Sequence, residues 1–262
     1  MGRLSKTLDF RRLELKYLID HEQRSGMLRD VVALMRPDAH AGPEGWYRVR
    51  SLYFDTPDYM AYHAKLSGLP VRHKVRARTY GVDPGRAASI RLEVKSRYLS
   101  FIHKLALDVP RWTYAIVQSA IESRTMPPRD LLDSGQLPRE FFRVLRQYNM
   151  EPKVIVEYRR LALERREASR TRINLDDELV ATRDLHLLGP LRGARRLLRP
   201  GHCILEIKVD GVLPNWLHTL IMKYDLQAQA ISKYCYAVRS EARMTATSRS
   251  DELFPTPLAE AV

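Results

Sequence analysis

The stretch 71-VRHKVRART-79 decides the fold because its charged residues recur at every second position. The even positions are all cations: Arg72, Lys74, Arg76 and Arg78. The odd positions include the apolar residues Val71, Val75 and Ala77. Successive side chains of a β-strand point to opposite faces, so this pattern predicts a strand with one basic face and one apolar face.

The same alternation recurs along the chain, in segments 12–17, 90–97, 170–176 and 205–210. Segment 153–163 is a further strand candidate. In 90–97 the polar side consists of Arg91, Glu93, Lys95 and Arg97. In 170–176 it consists of Arg170, Arg172, Asn174 and Asp176. Several strands therefore carry cations with interspersed carboxylates on one face.

Helices are predicted between the strands. Asp20 and Gln23 form a capping-box pattern before the apolar spacing of Met27, Val31 and Leu34. Further helices are expected at 57–66, 114–123, 138–148, 214–224 and 232–244. Strands and helices do not alternate one to one, which disfavours a doubly wound parallel sheet. The pattern favours a β-rich α+β domain with helices on its outside.

The composition is that of a globular protein with a strong positive charge. The chain has 262 residues, 45% of them hydrophobic, a formal charge of +13 and a pI near 9.9. Such a charge attracts polyanions: nucleic acid, an anionic membrane surface or phosphorylated small molecules. The two cysteines, Cys203 and Cys235, are far apart and lack a Cys/His cluster, so neither a disulfide framework nor a zinc site is expected.

A cytoplasmic location fits this cysteine content best. We find no signal peptide and no apolar run of about 18 residues that would span a membrane. The stretch from about residue 245 to 262 mixes Ser, Thr, Pro and charges without periodicity, and is predicted to be a mobile tail.

The basic faces are expected to point inward. Like charges opposite one another destabilise a sheet unless a ligand neutralises them, and a bound polyanion would do so. If the sheet curls into a barrel, amphipathic helices cover its apolar face and the polar face becomes a lumen. Carboxylates there, namely Glu14, Glu93 and Glu206, suit a divalent metal that bridges phosphate oxygens.

Seven short motifs in order resemble one family. They are Glu14-Leu-Lys16-Tyr17, Ser51-Leu-Tyr-Phe-Asp55-Thr56, Lys74-Val-Arg76-Ala-Arg78, Leu92-Glu93-Val-Lys95, Arg172-Ile-Asn-Leu-Asp176, Leu205-Glu206-Ile-Lys208 and Ser232-Lys233-Tyr234. The sequence resembles a VTC domain, the polyphosphate polymerase branch of the triphosphate tunnel metalloenzymes. The resemblance spans roughly residues 11–238, and it implies one tunnel domain over residues 1–244 and a tail over 245–262.

The resemblance implies an eight-stranded antiparallel β-barrel that binds ATP and transfers its terminal phosphoryl group to a growing inorganic polyphosphate chain. It assigns catalytic contacts to Lys16, Arg76, Arg78 and Lys95. It assigns substrate contacts to Lys104, Arg160, Arg172, Lys208 and Lys233, the last of which would steer the chain at the tunnel end. Glu206 would bind Mn²⁺ or Mg²⁺, while Glu14 and Glu93 are expected to orient neighbouring lysines by ion pairing.

Three positions match the family pattern less directly. Strict alternation would put Arg159 on the face of Glu157, whereas the pattern Tyr-x-Arg-x-Ala selects Arg160. Lys104 lacks a second cation that relatives often carry nearby. Ala230 stands where some relatives place a second lysine, three residues before Lys233, so chain guidance is expected to be weaker.

Three conspicuous aromatic residues and one acidic segment are assigned structural roles. Tyr53, Phe54 and Trp216 are expected to be packing residues. The segment Asp55-Thr56-Pro57 is predicted to cap a helix.

Two other functions compete with the polymerase. A tripolyphosphatase or nucleoside triphosphatase would use the same tunnel with water as the acceptor. A non-catalytic module would sense polyphosphate or inositol phosphates with a vestigial metal site. Nucleic acid is disfavoured, because the cations alternate along strands and form neither a helical row nor an aromatic platform.

A membrane partner, if there is one, is a separate protein that this sequence does not identify. The net charge is compatible with a peripheral position at the inner face of a membrane, although no amphipathic anchor or lipidation motif supports it.

Overall fold

A computed structural model describes residues 12–38, 41, 45–99, 101–165 and 171–246 of the chain. Its strands are β1 (Arg12–Ile19), β2 (Met35–Pro37), β3 (Trp46–Asp55), β4 (Val71–Gly81), β5 (Ser89–Tyr98), β6 (Phe101–Pro110), β7 (Glu151–Arg165), β8 (Arg172–Thr182), β9 (Arg195–Arg196) and β10 (Cys203–Asp210). Its helices are α1 (His21–Val31), α2 (Met60–Leu66), α3 (Arg111–Glu122), α4 (Arg129–Asp133), α5 (Gln136–Gln147), α6 (Asn215–Lys223) and α7 (Lys233–Ala246). A short 3₁₀ turn spans Pro84–Arg86.

Eight strands form one antiparallel sheet in the order β1-β10-β8-β7-β3-β4-β5-β6. The short strands β2 and β9 pair with β7 and β8. Glu14 on β1 acts electrostatically on Lys95 on β5, although five strands lie between them in the sheet order. The sheet is therefore curled into a half-barrel. Among the described residues no pairing joins the edges β1 and β6. The predicted α+β class with an eight-stranded antiparallel sheet is confirmed.

Two apolar clusters cover the outer face. Phe141 and Phe142 of α5 and Tyr114 of α3 pack with buried residues of β4 and β5 such as Val75 and Leu92. Around β1, β8 and β10, the outer face packs against α1 and α6; that cluster includes Met27, Val31, Leu217, Leu220, Ile173, Leu205 and Ile207. These helices remove the apolar strand face from water, which is the main stabilising contribution expected for such a layer.

Helix α7 is the exception to the external arrangement, because it packs against the inner face. Tyr234 and Val238 of α7 share a cluster with Tyr47, Val49 and Tyr53 of β3. Leu52 and Phe54, the alternate residues of β3, belong to the outer cluster. The helix thus fills part of the concave side, and its first residue, Lys233, lies among the polar side chains there.

A bulge in β8 changes which residues face inward. The β7–β8 register shifts between Glu157 and Arg159, and Glu178 opposite them has a positive φ of 49°. An extra residue in one strand breaks the period of two. Asp176 and Leu179 consequently share the inner face, although their spacing is odd.

The helix caps agree closely with the sequence pattern. The Asp20 carboxylate accepts a hydrogen bond from the backbone N–H of Gln23, and the Gln23 side-chain oxygen accepts one from the backbone N–H of Asp20, so the capping box is confirmed. Asp55 and Thr56 also cap a helix, but from farther upstream than predicted. The Asp55 carboxylate accepts from the amides of Ala61 and Tyr62, and α2 begins at Met60.

The described part of the chain ends in helix α7. The predicted tail largely falls on residues 247–262, which lie outside the described residues, and α7 reaches Ala246. The division into a domain over 1–244 and a tail over 245–262 stays a prediction. In the part of the chain that the structure describes, no helix has the length and hydropathy needed to cross a membrane.

Candidate active site

The inner face holds the polar rows that the sequence predicts. Residues paired across neighbouring strands bring these rows together: Tyr53 opposes Arg76, Arg76 opposes Glu93, and Lys95 opposes both Lys74 and Lys104. Arg170 of the predicted rows lies outside the described residues. The charged side chains fall into two clusters and one unpaired set.

The first group, the Glu206–Asp176 cluster, consists of Glu14, Lys16, Arg160, Asp176, Glu206, Lys208 and Lys233. Glu206 accepts from Lys208 at 2.8 Å and from the Asn174 amide at 3.0 Å. The Lys16 ammonium lies 2.9 Å from Glu14 and 3.5 Å from Glu206. Glu206 is thus surrounded by cations.

Asp176 is the buried anchor of the same cluster. Its fully buried carboxylate accepts two hydrogen bonds from Arg160, at 2.6 and 2.7 Å, and lies 2.6 Å from the Lys233 ammonium. Bidentate Arg–carboxylate pairs are both strong and orientationally specific. Arg160 therefore faces inward and Arg159, bound to Asp177, faces outward, as the Tyr-x-Arg-x-Ala pattern predicts.

The second group, the Glu93 cluster, consists of Arg76, Arg78, Glu93 and Lys104. Glu93 pairs with Arg76, lies 3.2 Å from Lys104 and 3.9 Å from Arg78. Burial alone would raise the pKa of Glu93, but Arg76, Arg78 and Lys104 outweigh it and hold the pKa well below its usual range. Glu93 thus remains ionised. It lies beside one lysine, Lys104, but its other two cationic neighbours are arginines and not the lysines that the sequence predicts.

Lys74 and Lys95 form the third set, which we call the lysine pair. They stand directly opposite each other on β4 and β5. Among the described residues neither ammonium has a hydrogen bond or a carboxylate within 4 Å. Burial lowers the pKa of Lys74 to about 8, and withdrawal from bulk water lowers that of Lys95 also. Glu14 attracts Lys95 from beyond contact distance. Like charges opposed without a carboxylate in contact are unfavourable, so the lysine pair favours a bound anion.

Arg172 lies on β8, opposite Lys208 of β10. It pairs with Asp38, which also accepts a hydrogen bond from Tyr47 at 3.2 Å. One nitrogen of Arg172, Nε, is buried without a hydrogen-bond partner among the described residues. Part of this guanidinium group therefore keeps an unused donor.

Two residues of the site have polar roles that the sequence does not predict. Lys74 belongs to the predicted row of cations on β4. Neither the alternation nor the family motif distinguishes it from the other cations of that row. Tyr53 was assigned to packing, and it is buried and stacked on Tyr234. Its hydroxyl also accepts from Arg76 at 3.4 Å. Burial raises the pKa of Tyr53, but Arg76 and Arg78 outweigh it and lower the pKa to about 8.

Comparison with known proteins places the chain in a family. A model of the VTC domain matches residues 11–241, most of the chain. The chain belongs to the VTC domain family. No curated protein matches this VTC domain.

Solved structures similar to this VTC domain have low sequence identity to it. One is described as an adenylate cyclase from Bacillus halodurans, with 12% identity and a TM-score of 0.49, covering 85% of this chain and 94% of the other. Another is described as an adenylyl cyclase from Hippeastrum with a dominant triphosphatase activity, with 14% identity and a TM-score of 0.47. That match covers 87% of this chain and 95% of the other.

The charges of this VTC domain predict a pH-dependent affinity for polyanions, for which a long polyphosphate chain is a suitable probe. Burial lowers the pKa of Lys74 and of Lys208 to about 8, and Tyr53 has a pKa of about 8. Between pH 7 and 9.5 the two lysines lose positive charge and Tyr53 gains negative charge. Because internal phosphates of a long chain stay ionised, affinity should fall by about tenfold or more over this range.

Titration calorimetry at constant ionic strength measures this change. The Lys74→Arg variant is the matched control, since arginine stays charged throughout, and its affinity should fall less steeply. An affinity that is constant from pH 7 to 9.5 in the wild type would mean that these groups do not face the ligand.

Proposed function

We propose that this protein is a metal-dependent polyphosphate polymerase that transfers the terminal phosphoryl group of ATP to a growing polyphosphate chain. The observation that carries the proposal is the lysine pair, which lies next to Arg76 and Glu93 on the same face, in a chain of the VTC domain family. A chain of phosphates supplies the repeated negative charge that this line of cations lacks.

The inner-face residues would act by alignment and charge. Arg76, Arg78 and Lys95 bind the triphosphate of ATP, while Lys16, Lys208 and Arg160 bind the acceptor side of the chain. A terminal oxygen of the chain attacks the γ-phosphorus, the bond to the β–γ bridging oxygen breaks, and ADP leaves. Phosphoryl transfer needs little covalent participation from the protein, and positive charge on the transferring oxygens lowers the barrier.

Glu206 and Glu14 are the residues that would hold Mn²⁺ or Mg²⁺. Their carboxylates are within hydrogen-bonding reach of each other. Burial would raise the pKa of Glu206, but Lys208, Lys233 and Lys16 outweigh it and keep the carboxylate ionised. No group of three or more His, Cys, Asp or Glu side chains suited to a metal occurs among the described residues.

This donor set fits a metal whose other ligands come from the substrate. Such ions commonly bind through one or two carboxylates together with substrate phosphates. When bound, the ion would neutralise charge on the phosphate oxygens. The ammonium groups of Lys16 and Lys208 already contact Glu206, so they would share its oxygens with the ion or shift towards phosphate.

Incubation of the protein with ATP and Mn²⁺ tests the proposal, with products resolved on a polyphosphate-staining gel and free phosphate assayed in parallel. A polymer ladder is expected from the wild type. Lys16→Ala and Glu206→Ala should each lower its rate by about 100-fold or more, because each removes a charge from the reacting centre. The matched controls Lys223→Ala and Glu164→Ala replace exposed, ion-paired residues and should keep wild-type rates.

The assay also discriminates the competing functions. Free phosphate without polymer would mean a triphosphatase, in which water replaces the chain as the acceptor. Tight polyphosphate binding without any turnover, unchanged by a chelator, would mean a binding module. Either result would overturn the polymerase proposal.

A further inference from the structure

Three further cations lie beyond the lysine pair, at the end of the inner face where β4 begins and β5 ends. Arg72 and Arg97 oppose each other in the β4–β5 register, next to Lys74 and Lys95 on the same face. Lys65, near the end of α2, is close to both. Burial lowers the pKa of Lys65, and Arg72 and, less strongly, Arg97 lower it further. We call Lys65, Arg72 and Arg97 the mouth triad.

The mouth triad lacks acidic partners. Arg72 donates to the carbonyl oxygen of Leu69 at 2.9 Å, and Arg97 to that of Leu99 at 2.7 Å. Among the described residues no carboxylate oxygen lies within 4 Å of any of the three side chains. Burial and the neighbouring Arg97 lower even the pKa of Arg72. Two guanidinium groups directly opposed without an anion are unfavourable in a sheet.

The Glu206–Asp176 cluster and the Glu93 cluster differ from the mouth triad. Each has its own carboxylates, so much of its positive charge is already neutralised within the protein. From those clusters outward, the cations continue through the lysine pair to the mouth triad without a further carboxylate partner. The uncompensated charge thus increases towards the end of the inner face where β4 begins and β5 ends.

We propose that the mouth triad is a second polyphosphate subsite, which holds the part of the chain that extends out of the catalytic groove. The proposal rests on the proposed function in naming polyphosphate as the polyanion. Arg72 is four residues from Arg76 on an extended strand, a distance of about 13 Å. Tripolyphosphate bound at Arg76 and Arg78 is shorter than that distance, whereas a long chain passes the lysine pair and reaches the triad.

Binding measured for two probes, tripolyphosphate and a long polyphosphate chain, tests the subsite. The triple variant Lys65→Gln, Arg72→Gln, Arg97→Gln removes the triad. The control Arg86→Gln, Arg124→Gln, Arg139→Gln removes the same charge from exposed side chains elsewhere. Thermal melting verifies that both triple variants are folded. If the triad variant is not folded, the single variant Lys65→Gln, in α2, takes its place in the binding measurements.

The triad variant should keep its tripolyphosphate affinity within about twofold and lose about tenfold or more for the long chain. The control variant should not lose affinity for one of the two probes more than for the other. An equal loss for both probes, or no loss for the long chain, would overturn the subsite. Because the readout is binding, a protein that makes no polymer yet shows this length selectivity would refute the polymerase and retain the subsite. A wild type that binds neither probe would refute both.

Discussion

Replacing Lys74 and Lys95 with glutamine is expected to abolish polyphosphate synthesis and, at the same time, to raise the melting temperature. The two ammonium groups oppose each other on adjacent strands without a carboxylate in contact, and burial lowers the pKa of Lys74 to about 8. Their charges therefore oppose folding at neutral pH. Removing both relieves that cost, which we put at about 1 kcal/mol or more, and also removes the charge that a phosphate chain would neutralise.

The expected increase in Tm is about 3 °C for a chain of this size. The sign follows from linkage: the pKa of Lys74 is lower in the folded state, so its cost is fully present below pH 8 and disappears as pH rises towards the unfolded value. Synthesis from ATP should fall by about 100-fold or more. Calorimetry and the gel assay measure the two effects on the same samples.

The matched control is Lys153→Gln with Lys223→Gln. Both lysines have carboxylate partners, Glu151 at 2.6 Å and Asp30 at 2.7 Å, so their loss should lower or leave unchanged the Tm and should leave synthesis intact. A lysine-pair variant that is less stable than the wild type, or that still makes polymer at the normal rate, would refute the role assigned to the pair.

Replacing Arg160 with methionine should destabilise the fold strongly. The change leaves the fully buried carboxylate of Asp176 with Lys233 as its remaining cation. Removing one partner of a buried ion pair costs about 3–5 kcal/mol, because the other charge stays buried without compensation. Urea unfolding followed by circular dichroism measures the free energy of unfolding.

A second substitution separates the structural role of Arg160 from its role in binding. The double variant Arg160→Met, Asp176→Asn removes both charges and should recover most of the lost stability, as a double-mutant cycle reports. It should not recover polyphosphate synthesis if Arg160 binds phosphate. If Arg160→Met unfolds within about 1 kcal/mol of the wild type, the buried pair is not the anchor we describe.

The strands with one basic face were the most predictable part of the fold. In β4 the inner side chains are charged and the outer ones apolar, so the sequence itself shows the period of two. Strand β3 was not predicted, because both of its faces are buried: residues from Val49 to Asp55 are almost all withdrawn from water, and no alternation remains to be read. Strand β6, at the sheet edge, has exposed residues on both faces and was likewise not predicted.

The residues of the candidate site were predictable where their position in the sequence alone decides which face of the sheet they occupy. Arg76, Arg78 and Lys95 follow from alternation, and Arg160 follows from the family pattern. Partnerships across the sheet did not follow, because they depend on the bulge at Glu178 and on α7 entering the concave side. These two features bring Asp176 to Arg160 and Lys233. Likewise, no local signal shows that Lys74 lacks a carboxylate while Arg76 has one.

The inner face is expected to hold a chain of phosphates, and an experimental structure of the protein soaked with a long polyphosphate chain shows whether it does. We predict phosphate density within hydrogen-bonding distance of Lys74, Lys95 and Arg76, with the lysine pair bridged by phosphate oxygens. Density confined to the outer surface, with the lysine pair solvated and the groove free of phosphate, would contradict the claim.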